Sequence, residues 1–418
     1  MKVLLQNILI CDPNSPYHNQ QTDVLIEKGM IAQIGKYIPA DDSILISGEN
    51  FCVSPGWMDL HAHLRDPGFE YKETIETGAL AAAKGGFTAV LAMPDTFPPV
   101  QTKSAVEYII KRSQQLAVDI IPAGALSQDL KGKEMAELYD MHLAGAKAFT
   151  DAEHPVAHAG LLVRALMYAH NFGGRIHVRC DDETISTGGQ MNEGPMSTIL
   201  GLKGIPALAE ELMITRNIYL AEYAGAPIHF MGVSTEKGVH LIREAKAKGL
   251  DITASVHAYN LYWNDSVLED FDTNYKLNPP LRGEEDRKAL LDGVADGIID
   301  CITSGHAPED IENKVVEFDL SAFGMIGLET AFSLACSSDK FSAEQLVNAL
   351  SLHPRKIAGV EIPSIKVSEK ANLTVFDMSA TKTYTAKDFY SKSKNTPLVG
   401  KELSGKVIGI YNKGQWVD

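Results

Sequence analysis

The 418-residue sequence is poor in cysteine, in positive charge and in long apolar runs. Its five cysteines (Cys11, Cys52, Cys180, Cys301, Cys336) are odd in number, widely scattered and form no CxxC pair. That excludes a disulfide framework and a cysteine-based zinc site, and leads us to expect a reducing, cytoplasmic location. Lysine and arginine total 38 against 54 aspartates and glutamates, a net charge of −16. Such an excess argues against nucleic acid and anionic membranes as partners, although one buried site can still be locally positive. No run is long enough to span a bilayer. The N-terminal stretch is broken by Gln6 and Asn7 and soon reaches Asp12-Pro13, so it reads as a strand and not as a signal peptide. There is no short-period repeat and no low-complexity segment.

What is present is an alternation. Candidate strands at Phe51–Leu60, Phe87–Ala92, Val118–Ala123, Ala146–Phe149, Arg175–Cys180, Ala226–Met231, Asp251–Val256 and Ile298–Thr303 are separated by helical patterns or long loops. The helical patterns are Lys72–Lys84, Ser104–Leu116, Leu161–His170, Ala207–Tyr223, Lys237–Lys248 and Glu285–Ala295. Gly85-Gly86 supplies a C-terminal stop for the first of them. Eight strand–helix units predict a (β/α)8 barrel, with chemistry at the C-terminal strand ends. An open doubly wound sheet would carry a glycine-rich phosphate loop after its first strand, and none is present. Both ends of the chain read as short strands with turns: Val3–Ile10, Asp23–Glu27 and Met30–Ile34, then Leu373–Asp377, Lys406–Tyr411 and Gln415–Val417. The expected architecture is therefore α/β: residues 1–50 and 359–418 together form a small β-sandwich domain, and 51–358 form the barrel.

The most informative residues are His61 and His63. Two histidines at i and i+2 at a strand end project to the same side and can hold one divalent metal. Asp59 and Arg65 flank them, and the pair falls where a barrel places its chemistry. The segment Pro55-Gly-Trp-Met-Asp-Leu-His-Ala-His-Leu-Arg-Asp-Pro-Gly68 resembles the metal-site signature of dihydroorotases in the amidohydrolase superfamily. Further similar blocks follow in family order: Ala81–Thr88, Met93-Pro-Asp-Thr96, Leu277-Asn-Pro-Pro-Leu-Arg282, His306-Ala-Pro308 and Phe323–Thr330. The likeness runs over nearly the whole chain.

That resemblance implies reversible hydrolysis of dihydroorotate to carbamoyl-aspartate in pyrimidine biosynthesis, by zinc chemistry with an aspartate as proton carrier. It makes His61 and His63 metal ligands and Arg65 a holder of the substrate carboxylate, a task suited to a planar guanidinium. It also implies substrate contacts at Asp95, Asn278, Phe323 and Gly324. The bridging group has two candidates, Asp151 and a modified Lys147, with Asp151 favoured. Other expected positions are replaced. Arg179 and Gly232 stand at two histidine ligand positions, and Gly305 stands where the catalytic aspartate belongs. His177 and His229 lie close by in sequence but read as structural. Asp95 takes the place of a substrate-binding asparagine, and Glu309 that of a histidine.

These changes predict one zinc ion at most, or none. Arg179 is expected to fill the region of the second metal and to pair with Asp151, since a buried carboxylate needs a partner. No confident catalytic residue remains, so weak or lost activity is expected. Two alternatives accompany this reading. One is a non-catalytic dihydroorotase-like partner of aspartate carbamoyltransferase. The other is a one-metal hydrolase of another cyclic amide, with Asp95, His306, Glu309 or Lys147 in new roles. A homodimer is the expected assembly.

Overall fold

The computed structural model describes residues 2–418. Eight parallel strand positions close a barrel: Trp57–Ala62, Phe87–Ala92, Asp119–Pro122 continued by Gly124–Ala125, Ala148–Thr150, Arg175–Arg179, Ile228–Met231, Ile252–His257 and Cys301–Thr303. Closure between the last and first of these runs through a parallel bridge from Ala62 to His306, with the His63 amide donating to the His306 carbonyl at 2.9 Å. Helices pack around the strands. Apolar strand residues such as Phe149, Ile176, Ile228 and Phe230 share one continuous core with Leu161, Leu162, Ile214, Ile242 and Leu290 of the helices. Among the described residues no helix is long and apolar enough to cross a membrane.

The termini meet as expected. Lys2–Ile10, Gln21–Glu27, Met30–Gly35, Ile44–Ser47, Cys52–Pro55, Leu373–Thr383, Glu402–Asn412 and Gln415–Val417 form one eight-stranded mixed sheet. Its own core gathers Val3, Leu5, Ile8, Ile10, Val24, Ile26, Val53, Leu373 and Val375. The single long strand expected over Phe51–Leu60 is in fact two. Cys52–Pro55 pairs antiparallel with Leu373–Thr383, and the barrel begins only at Trp57. Gly56 is the break: a Cβ there would lie 2.0 Å from Asn372 Oδ1 and 2.2 Å from Thr88 Oγ1.

Local signals explain the helix nearest the site. Ile75–Lys84 starts three residues later than the apolar pattern suggested, because Thr74 caps it reciprocally with Thr77. Glu73, just before the cap, is buried and accepts from Ser391 and the Lys392 amide, with His306 Nε2 at 3.3 Å. The glycine stop is real. A Cβ on Gly85 would lie 1.9 Å from the Leu328 carbonyl oxygen.

Barrel and terminal sheet are joined at Trp57, which is fully buried. Its ring packs on Phe87 of the barrel, on Phe332, and on Phe376 of the terminal sheet, with centroids 6.3, 4.7 and 5.3 Å away. Its indole N–H donates to Ser54 Oγ at 2.9 Å. Trp57→Ala is expected to destabilise the protein by about 3–5 kcal/mol, read as a lower urea midpoint at unchanged slope.

Candidate metal centre

His61 and His63 leave the first barrel strand on the same side, as the two-residue period requires. Their Nε2 atoms are 3.3 Å apart. A third group joins them. Glu153 Oε1 lies 2.8 Å from His61 Nε2 and 3.4 Å from His63 Nε2. Ligands about 2.0–2.1 Å from a tetrahedral zinc are separated from one another by about 3.3 Å. The three donor atoms therefore approximate one face of such a tetrahedron, and these residues fit a single divalent ion. His61, His63 and Glu153 are the one metal-capable group of three or more side chains among the described residues.

The surrounding contacts orient the ligands. His63 Nδ1 meets both Asp95 carboxylate oxygens, at 2.7 and 2.8 Å. A histidine whose Nδ1–H donates to a carboxylate keeps its Nε2 lone pair for a metal. Burial opposes charge on His63, but Asp95 and Glu153 outweigh it and lift its pKa to about 9. Burial likewise works against ionised Glu153. The hydrogen bonds from His61 and His63, with Arg179 nearby, nevertheless hold its carboxyl well below the usual range.

Arg65 is spent on the protein's own carboxylates. It donates to Asp95 Oδ2 at 2.9 Å and to Glu309 Oε1 at 3.0 Å, while Lys72 takes Glu309 Oε2 at 2.5 Å. Neither Asp95 nor Glu309 is left free. His306 turns to Glu73 and to the Gly327 amide, away from the metal group.

Several expectations are corrected by this geometry. Asp151 is not part of the group: it accepts from the Ser127 amide at 2.8 Å and from Ser127 Oγ at 2.5 Å. The strand ends at Thr150, and Ala152, with φ +53°, turns the chain, so the inward alternation of the strand does not extend to Asp151. The same turn delivers Glu153. Lys147 precedes the strand and therefore sits at the opposite end of the barrel. There it lines a cleft with Asp119, Arg355 and Lys370.

Arg179 does not pair with Asp151. Its Nε is 3.5 Å from Glu153 Oε2, and its Nη2 donates to Asn278 Oδ1 at 2.5 Å. Phe323 and Gly324 belong to a loop tied elsewhere. The Phe323 ring lies 5.0 Å from Lys276 Nζ, and the Gly324 carbonyl accepts from Lys314 and Asn395. His177 and His229 stack with centroids 4.5 Å apart on adjacent strands, outside the metal group. Burial pushes the His177 pKa down to about 3, so it is a neutral core histidine.

His257 and Tyr259, which carry no local sequence motif, stand beside Gly232 and Gly305. His257 ends the seventh barrel strand, its ring perpendicular to His61 with centroids 4.8 Å apart. Its Nδ1 is 2.8 Å from Thr303 Oγ1. A Cβ at Gly232 would fall 2.7 Å from His257 Nε2, and one at Gly305 would fall 2.6 Å from Tyr259 and 2.9 Å from His257. Both glycines have φ near +60°, where a side chain is strained in any case. Any side chain at 232 or 305 would thus meet occupied space. Position at a C-terminal strand end was the signal that could have singled out His257.

Comparisons with known proteins show the family and the fold. A family model described as Dihydro-orotase-like matches residues 51–238. The chain is 41% identical over 420 residues to a dihydroorotase of Acetivibrio thermocellus, covering 99% of this chain and 98% of that protein. It is 42% identical over 411 residues to one of Ruminiclostridium cellulolyticum, covering 97% and 96%. Among solved structures, the L-hydantoinase (dihydropyrimidinase) of Arthrobacter aurescens superposes with a TM-score of 0.87 at 25% identity, covering 99% of this chain and 95% of that one. The dihydropyrimidinase of Brevibacillus agri NCHU1002 superposes at 0.83 and 22% identity, covering 100% and 95%, which speaks for the fold alone.

Two measurements test the centre. A metal must displace the proton that His63 holds up to about pH 9, so affinity for zinc should rise about tenfold per pH unit between 7 and 9 and then level off. Calorimetric titration across that range checks it. Asp95→Asn should cost about 10–100-fold in zinc affinity, because His63 loses its orienting carboxylate.

Proposed function

The chain belongs to the dihydroorotase family, and from that membership we propose a one-metal cyclic amidohydrolase that acts on dihydroorotate with weakened activity. The observation that carries this reading is the ready-made triangle of His61, His63 and Glu153, braced through Asp95. These three residues would hold one zinc ion. When bound, the ion supplies Lewis acidity and a nucleophile drawn from water at neutral pH.

The remaining residues determine how well the reaction runs. Asp95 fixes the tautomer of His63. Gly305 offers no carboxylate to carry a proton from water to the departing ring nitrogen, so that proton must come from solvent. Loss of a positioned acid–base group typically costs about 10²–10⁴-fold in rate. Arg65 shares its charge between Asp95 and Glu309, which weakens its grip on a substrate carboxylate. A small anionic substrate remains the expected ligand, and assembly as a homodimer or with aspartate carbamoyltransferase belongs to the same proposal.

Metal content by mass spectrometry, paired with a dihydroorotate hydrolysis assay, tests it. The expected outcome is one zinc per chain with turnover about a hundredfold or more below that of a family member carrying the full ligand set. Two ions with undiminished turnover would overturn the one-metal reading. No metal and no turnover would leave a non-catalytic dihydroorotase-like protein. Metal with turnover only on other cyclic amides would reassign the substrate.

A further inference from the structure

Arg179 ends the fifth barrel strand and is only 4% exposed. Its Nη2 is satisfied by Asn278, but Nε and Nη1 are buried and have no hydrogen-bond acceptor. Among the described residues no other lysine or arginine carries a buried nitrogen in this condition. The carboxylate oxygen next to it, Glu153 Oε2, is also without a donor, because at 3.5 Å the two attract electrostatically without a hydrogen bond. Burying a charged donor unpaired is costly, so such a group calls for an acceptor: an ordered water, an ion or a ligand.

The place of that acceptor follows from the neighbours. Glu153 turns Oε1 to His61 and His63, and Oε2 to Arg179. Nε of the guanidinium thus adjoins the metal triangle across one carboxylate. The other cations at the site are engaged: Arg65 by Asp95 and Glu309, Lys72 by Glu309.

We infer that Arg179 receives the oxygen on the reacting carbon of the ligand, and that the site therefore binds the ring-opened N-carbamoyl diacid more tightly than the ring-closed amide. This inference rests on the cyclic-amide reading above. In ring opening, the oxygen of one water joins the carbonyl carbon and the carbon–nitrogen bond breaks. One hydrogen of that water ends on the nitrogen, and the proton of the new carboxyl group passes to solvent. A neutral amide oxygen has become a carboxylate oxygen. Arginine stays charged throughout, and its hydrogen bonds to a carboxylate are roughly twice as strong as those to a neutral acceptor.

Calorimetric titration of the zinc-loaded full chain with carbamoyl-aspartate and with dihydroorotate tests this, the ligand composition being checked by chromatography after each run. Wild type should bind carbamoyl-aspartate at least tenfold more tightly. Arg179→Gln should shrink that preference below threefold while zinc content stays unchanged. Should that variant fail to fold, Asn278→Asp reads the same point, since a carboxylate on Nη2 quenches the guanidinium and should reduce the preference too. A wild type without preference, or variants that keep it in full, would overturn the inference. A preference without turnover would leave Arg179 as receptor and remove the enzyme reading; turnover without preference would do the reverse.

Discussion

The site depends on one carboxylate. Glu153 meets His61 at 2.8 Å, His63 at 3.4 Å and Arg179 at 3.5 Å. It turns two neighbouring histidines into a three-donor metal seat, and it balances the charge of a guanidinium that burial would otherwise make costly. Asp95 plays the matching part on the other side, joining His63 to Arg65. Two acidic residues therefore set the tautomer, the charge and the free edges of everything around them. A net-negative protein keeps a compact basic cluster in place by this means.

Positions 232 and 305 shape the ground beyond the candidate metal triangle. Both positions are glycine with left-handed backbone, and His257 and Tyr259 stand in the vacated room. A side chain at either position would drive its Cβ into the His257 ring. Arg179 brings a fixed positive charge to the same neighbourhood.

Much of the fold was legible in the sequence because it follows from periodicity and punctuation. Strands such as Phe87–Ala92 and Gln415–Val417, and the stop at Gly85, fall where pattern and glycine signals put them. His61 and His63 were legible for the same reason, since strand parity alone brings them together. What failed was parity carried past a strand end. The fourth barrel strand, expected over Ala146–Phe149, spans Ala148–Thr150, and the chain turns at Ala152. That turn withdraws Asp151 and presents Glu153. Arg65 was read as free to bind a ligand because its partners Asp95 and Glu309 are remote in sequence. No local signal announces an ion pair between residues 244 positions apart.

The central proposal is that this barrel holds a single metal ion, on His61, His63 and Glu153. Anomalous diffraction from crystals soaked in zinc tests it most directly. The account predicts one anomalous peak per chain, bound by His61 Nε2, His63 Nε2 and Glu153, with no peak beside Arg179 or His257. Two peaks per chain, or a single peak held by Asp151 or by His177, would contradict it.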